Sequence, residues 1–297
     1  MSTRTYRANA KLNLSLDVTG KREDGYHLMD MVNTSVSLSD TLTFTETPEK
    51  EFTISSDVRF FPTGEKNLIW KAAALLAEQT GNEMPRIHVH VAKRIPTQAG
   101  LGGGSADAAA AMTALNGLCG YHLSPEKLME LSVRIGADVP FCLKGGYARV
   151  QGIGEEIVPF ETSCRYHLVI AMPRTGKSTK AAFDALDRMT PESRPDTDRM
   201  VSLLKEGKLV PAFGCAGNLF QIALPDPVTE TLAAEMHSNG AVHASLTGTG
   251  AAVFGVFRSY QSALRCRDLL RALHYAAWTA QPRPCGVEKL DRSTTHE

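Results

Sequence analysis

The segment Lys93-Arg94-Ile95-Pro96-Thr97-Gln98-Ala99-Gly100-Leu101-Gly102-Gly103-Gly104-Ser105-Ala106 joins an alternating apolar run to an alanine-rich one. Its residue types are those that hold an anion. Gly102, Gly103 and Gly104 carry no Cβ, so the backbone is free to take positive φ and turn several N–H groups onto a phosphate. A helix starting behind them adds unpaired donors and a partial positive charge. Each such contact contributes roughly 0.3–1 kcal/mol when exposed and up to about 2 kcal/mol when partly buried. Several together hold a triphosphate without bulk basic charge. The Ser105 hydroxyl stands where it could touch a phosphate oxygen or an attendant Mg²⁺; an ordinary N-cap is the plain alternative. The dinucleotide pattern G-x-G-x-x-G fails, because counting from Gly100 puts Ser105 where its third glycine belongs.

Two other segments invite a chemical reading and do not sustain it. His167 to Thr179 runs like a strand into the GK[ST] end of a phosphate-binding loop. However, Ala171 occupies the place of the first glycine, and Pro173 stiffens a loop that would have to curl. A turn capped by Ser178 or Thr179 before a helix is expected instead, with Gly176 and Lys177 still able to reach a substrate. His88 and His90 share one strand face, but no third metal ligand is visible, so they read as ordinary strand residues.

The rest of the chain must position the loop. Its 297 residues suffice for two domains, each with its own core. Thirty-two basic residues balance thirty-two acidic ones, which removes the broad positive field that nucleic-acid binding uses. The six cysteines are scattered, without a C-x-x-C pair, and read as reduced thiols. Neither a signal-like N-terminus nor a membrane-spanning apolar run is present, so a cytoplasmic location is expected.

Apolar alternation predicts strands at Ala10–Val18, Met31–Leu38, Thr41–Phe44 and Ile87–Val91, and helical spacing predicts helices at Asn67–Gln79, Ser105–Leu118 and Pro125–Ile135. Two short strands follow Gly145 and Gly146. A polar turn at Glu161–Ser163 marks an expected boundary between domains 1–162 and 163–297. Beyond it the pattern is strand (167–172), helices (179–186, 200–206, 228–238), two strands (242–246, 251–257), a helix (259–273) and a strand (275–279). That order is a ferredoxin-like split β-α-β in an α+β protein.

The loop Pro96–Ala109 resembles the second motif of the GHMP kinases. Three further segments narrow the likeness: Ala10-Lys-Leu-Asn-Leu with Thr19-Gly-Lys-Arg-Glu-Asp-Gly-Tyr-His, then Gly136-Ala-Asp-Val-Pro-Phe-Cys, then Leu246-Thr-Gly-Thr-Gly-Ala-Ala-Val-Phe. Together they point to the branch of that family acting on a cytidine diphosphate-linked sugar alcohol in the non-mevalonate isoprenoid pathway. The resemblance implies a two-domain fold, with an N-terminal nucleotide-binding domain like ribosomal protein S5 domain 2 and a ferredoxin-like C-terminal domain. It also implies ATP and Mg²⁺ as cofactors, and it leaves monomer and homodimer both open.

Carried over by motif, Asp138 is the catalytic acidic residue and Lys11 its basic partner. A carboxylate between Ala137 and Val139 is costly to bury unpaired, and Lys11 could keep it ionised beside the transferring phosphoryl group. Taken alone, Asp138 would equally be a helix C-cap or turn residue, and Lys11 a strand-edge lysine. The resemblance further implies that Tyr26 and His27 meet the cytosine and that Asn13 bonds the substrate. Asn67 and Lys93 would lie near the adenine, and Thr247-Gly248-Thr249-Gly250 would close over the phosphates, a plain hairpin turn being the alternative. Three positions depart from the family pattern: Asn9 replaces a proline, Ser15 a bulky apolar residue and Gln221 a glutamate.

Overall fold

Two long antiparallel strands, β1 (Thr3–Lys21) and β2 (His27–Glu46), organise the first half of the chain. The computed structural model describes residues 2–48, 51–173 and 178–290, so Gly176 and Lys177 lie outside the described residues. The two strands expected at 31–38 and 41–44 are one. Asp40, in the gap left between them, is 0% exposed, and its Oδ1 accepts from the amides of Arg94 and Ile95 at 2.6 and 2.8 Å. A polar residue satisfied in this way does not interrupt a strand.

There follow β3 (Thr53–Ser56), α1 (Leu68–Thr80), β4 (Ile87–Ala92), α2 (Gly103–Leu118), α3 (Pro125–Ser132), α4 (Val139–Lys144), β5 (Tyr147–Gly152) and β6 (Glu156–Phe160). The second half contains β7 (His167–Met172), α5 (Thr179–Leu186), α6 (Thr197–Lys205), α7 (Leu209–Phe213), α8 (Leu219–Ala223), α9 (Pro227–Ser238), β8 (His243–Leu246), β9 (Val253–Phe257), α10 (Tyr260–Ala272) and β10 (Ala276–Ala280). Its sheet has the order β10-β7-β9-β8, antiparallel throughout, which is the ferredoxin-like order expected from the sequence. Ser178 caps α5, its hydroxyl accepting from the Ala181 amide.

The last strands, β11 (Pro282–Arg283) and β12 (Val287–Leu290), were not expected. They return to the first sheet, where β11 pairs with β2 and β12 with β1. That sheet runs β12-β1-β2-β4-β3, with β5 and β6 joined to the first half of β2. Asn9 explains part of the return: its backbone N–H donates to Gly286 O at 2.8 Å and its Nδ2 to Cys285 O at 3.0 Å. A proline there would have no N–H to give.

Helix α2 lies at the centre of the first domain, with Ala106 and Ala108 to Ala111 all buried. Small side chains let it lie close against both long strands and against α1 and α4. Lys93, just after β4, reaches beneath its first turn. Its Nζ donates to Asp40 Oδ2 at 2.5 Å and to Asp107 Oδ2 at 2.7 Å, all three residues being buried. Burial pushes the Asp107 carboxyl well above its usual range, and the Lys93 charge only partly offsets it. Burial also works against the Lys93 charge, but Asp107 and Asp40 outweigh it and leave the ammonium more firmly protonated than usual. Lys93→Met strands two buried carboxylates, and a loss of about 3–5 kcal/mol is expected in urea unfolding. Asp107→Asn keeps an oxygen for the Lys93 ammonium and leaves it the Asp40 carboxylate, so it should cost less than half of that.

Candidate functional site

A cleft of about 870 Å³ opens between the two halves, and the segments singled out in the sequence meet in its walls. Lys11, Asn13, Tyr26, His27, Gln98, Gly100, Gly102, Asp138, Gly248, Thr249 and Gly250 all line it. A second cavity of about 390 Å³ lies on the other side of the glycine loop, lined by Asn67, Lys93 and the run from Pro96 through Ser105, with Ala99, Leu101, Gly103 and Gly104 included. Gln98, Gly100 and Gly102 face both, so the loop is a shared wall.

Local backbone conformation makes that wall. Gln98, Gly100 and Gly102 have φ of 56°, 77° and 65°, alternating with ordinary residues, which turns successive amides toward one side. The first intrahelical bond of α2 runs from Ala106 N to Gly102 O, so the amides of Gly103, Gly104 and Ser105 precede it and remain for a ligand. Ala106 is buried behind the loop with its own N–H used. Ser105 lies within the first turn and not at the cap, which is Gly102.

The loop is pressed between two elements. Lys11 N donates to Leu101 O at 3.0 Å, and a Cβ on Gly102 would stand 2.7 Å from Lys11 Cγ. On the other side Ala252 N donates to Ala99 O at 3.1 Å, and a Cβ on Gly100 would stand 2.3 Å from Thr247 O. Thr247 is itself buried, its Oγ1 accepting from Asn13 N at 3.0 Å. Asn218 Nδ2 donates to Leu246 O and Gly248 O at 2.8 and 2.9 Å, holding the 247–250 turn in place.

Register shifts at Asn9/Ala10 and Asn13/Ser15 bracket the stretch of β1 that carries Lys11 and Asn13. Lys11 Nζ lies 3.4 Å from Asp138 Oδ1. Asp138 is the N-cap residue of α4 but makes no side-chain capping bond, so its carboxylate is left for the cleft. The apolar burial expected for it is corrected: the side chain is 38% exposed, while Val139 and Pro140 beside it are buried. The Val-Pro start of α4 was a legible helix signal, Pro being favoured in a first turn.

Asn67 spends its side chain as the cap of α1, Oδ1 accepting from Ile69 N at 2.8 Å and Nδ2 donating to Pro62 O at 2.5 Å. The Lys93 ammonium is held below the loop by its two carboxylates, so only the rest of that residue borders the small cavity. His88 and His90 are bridged by Ser55 Oγ at 2.9 Å to each, away from the cleft. The two remaining departures are locally satisfied. Ser15 Oγ pairs with the backbone of Gly217, and Gln221 Oε1 accepts from Leu246 N at 2.9 Å.

At the far end of the cleft, sequence reasoning named Tyr26 and His27 but missed Phe183 and Asp187 beside them. His27 Nε2 donates to Asp187 Oδ1 at 2.5 Å, and Lys21 Nζ donates to Asp187 Oδ2 at 2.6 Å. The imidazole, then the ammonium, holds the Asp187 carboxyl below its usual range. The His27 ring also lies 4.6 Å from the Phe183 ring, and Tyr26 stands 59% exposed at the mouth. Phe183 lies on the helix expected at 179–186, whereas Asp187 is its C-cap residue, one position beyond that expected end.

Comparisons with known proteins agree with this geometry. Residues 67–146 match the model of the GHMP kinases N terminal domain, and 198–275 that of GHMP kinases C terminal. The 4-diphosphocytidyl-2-C-methyl-D-erythritol kinase of Alkaliphilus metalliredigens (strain QYMF) is 37% identical over 270 residues, which cover 90% of this chain and 92% of that protein. A crystal structure of 4-(cytidine 5'-diphospho)-2C-methyl-D-erythritol kinase superposes with a TM-score of 0.78 at 29% identity, covering 94% of this chain and 98% of that one. A homoserine kinase from Cytophaga hutchinsonii superposes with a TM-score of 0.79, but at 18% identity it speaks for the fold alone.

Gly100→Ala tests the wall itself. The new Cβ meets the Thr247 carbonyl and the residue keeps a left-handed φ, so a loss of about 1–2 kcal/mol from the conformation alone is expected. Thermal melts should show it, together with a raised KM for both substrates.

Proposed function

We propose how the cleft works in this chain, which belongs to the 4-diphosphocytidyl-2-C-methyl-D-erythritol kinases within the GHMP kinases: it transfers the γ-phosphoryl group of ATP to the 2-hydroxyl of 4-diphosphocytidyl-2-C-methyl-D-erythritol. The observation that carries this is the meeting of a glycine wall, a lysine–carboxylate couple and an aromatic end in one cleft. The amides of Gly103, Gly104 and Ser105 hold the polyphosphate from the side of the small cavity. Lys11 lies against Gly102 and presents positive charge to the oxygens of the phosphoryl group in flight. Asp138, 3.4 Å from that ammonium, orients the acceptor hydroxyl and takes its proton. A loose transition state asks for such positioning more than for a strong base.

Tyr26, His27 and Phe183 form the cytosine end. An aromatic face supports a flat base. With its Nε2 held against Asp187, the imidazole turns its other nitrogen, Nδ1, to the edge of the base. The change of sheet between β6 and β7 supports a domain boundary near 162. Magnesium bound through nucleotide phosphates needs only one or two protein oxygens, and Ser105 Oγ in the first turn of α2 fits that need. When bound, the ion neutralises charge between the β and γ groups. Six free cysteines support a reducing cytoplasm, and no helix among the described residues is long and apolar enough to cross a membrane.

Rival acceptors such as homoserine, mevalonate derivatives or free sugars leave the aromatic end without a partner. A non-catalytic nucleotide-binding homologue leaves the Lys11–Asp138 couple without one. An ADP-release assay over a panel of hydroxyl acceptors should give turnover with the diphosphocytidyl compound, and turnover only with another acceptor rejects the substrate. Asp138→Asn and Lys11→Ala should each lower turnover by on the order of 10²–10³ with ATP affinity nearly unchanged. In calorimetric titration with cytidine diphosphate, Asp187→Ala should weaken binding by roughly tenfold, the scale of one lost charge-assisted hydrogen bond.

A further inference from the structure

Lys11, Asn13 and Asn33 form a chain of hydrogen bonds running from the cleft into the sheet. Lys11 Nζ donates to Asn13 Oδ1 at 2.7 Å, and Asn13 Nδ2 donates to Asn33 Oδ1 at 2.7 Å. Chemistry dictates the direction. An ammonium only donates, so Asn13 must turn its oxygen to Lys11 and its NH₂ to Asn33, which must answer with its own oxygen.

Asn33 sits opposite Asn13 in the β1–β2 register, is 0% exposed and does not line the cleft. Its Nδ2 finds no partner among the described residues. A buried amide donor left unpaired is unfavourable, and an apolar side chain in the same place would avoid the loss. The position therefore costs stability and gives one thing in return, an acceptor aimed at Asn13. Among the described residues, the one other acceptor at the Asn13 NH₂ is the Met31 sulfur at 3.1 Å, a weak one.

We propose that Asn33 is a positioning residue for phosphoryl transfer, acting through Asn13 to hold the Lys11 ammonium beside Asp138. This rests on the assignment of Lys11 and Asp138 made above. Without the Asn33 oxygen, the Asn13 amide is free to rotate and bring its NH₂ toward the ammonium. Lys11 then loses the acceptor that fixes its direction; both ends of the Asn13 amide are already spent on Lys11 and Asn33, so the substrate bond expected of its side chain is not among those lost. The effect belongs in kcat and not in KM.

The experiment is a double-mutant cycle in steady-state kinetics and thermal melts, using Asn33→Met, Asn13→Ala, both together, and Lys11→Ala. Asn33→Ala and Asn33→Asp run in parallel, so that misfolding of one variant does not decide the result. In Asn33→Met and Asn33→Ala, kcat should fall roughly ten- to a hundredfold, the scale of a misplaced catalytic group. KM for both substrates should stay within about threefold, and for Asn33→Met the Tm should hold or rise. In the Asn13→Ala background the Asn33 change should alter kcat by less than about twofold, because the path is already cut. Asn33→Asp keeps an oxygen facing Asn13 and should recover most of kcat. Unchanged kcat in Asn33→Met and Asn33→Ala overturns the proposal, and so does an equal loss in both Asn13 backgrounds. An Asn33→Asp variant as impaired as Asn33→Ala does the same. Full activity in Lys11→Ala would instead remove the underlying assignment, so the two failures are told apart.

Discussion

The molecule depends on how closely three pieces of backbone approach one another. The glycine loop lies between strand β1 and the 247–250 turn, near enough that a single Cβ at Gly100 or Gly102 would overlap its neighbour. That closeness puts the free amides of the loop, the lysine and the second domain within reach of one small volume. A site assembled this way needs little net charge, because its field comes from ordered backbone dipoles and one directed ammonium. The equal numbers of acidic and basic residues in the chain are consistent with such economy.

Beneath the loop the polar groups are arranged with unequal satisfaction. Asp40 takes two amides and the Lys93 ammonium, so it serves as the fastening of the loop's entry. Asp107 shares the same ammonium, and its Oδ1 has no partner among the described residues. Asn33, paired with Asn13 across the β1–β2 register, repeats the pattern. Two of the buried polar atoms without a partner among the described residues thus lie on side chains that hold another group in place.

Much of this was legible in the sequence, and the limits have physical causes. The loop, α2 and the split β-α-β order were readable because glycine clusters, alanine runs and apolar periodicity are local signals. The unbroken β2 was not, since Asp40 is stabilised by residues more than fifty positions away. The Lys11–Asp138 couple was reached by motif, yet the exposure of its carboxylate was misjudged, because Val139 and Pro140 after it are buried while Ala137 and the Asp138 side chain turn outward. Lys93 was expected at the adenine, but its charge is committed to two carboxylates, one of them, Asp40, too distant in the chain for any spacing rule to connect. Asp187 carries no local signal at all; it matters only because the fold brings the end of α5 to His27.

The return of the chain's last strands to its first sheet bears on how the protein is made. Strand β12 covers the free edge of β1, the strand that carries Lys11, and β11 lies beside β2 near its middle. During synthesis the N-terminal half emerges long before residues 282–290, so that edge stays open until the second domain has been completed. An open edge is a template for pairing with other chains. The segment that completes the first sheet is thus translated after the whole of the second, and protection of the nascent sheet against aggregation waits for it.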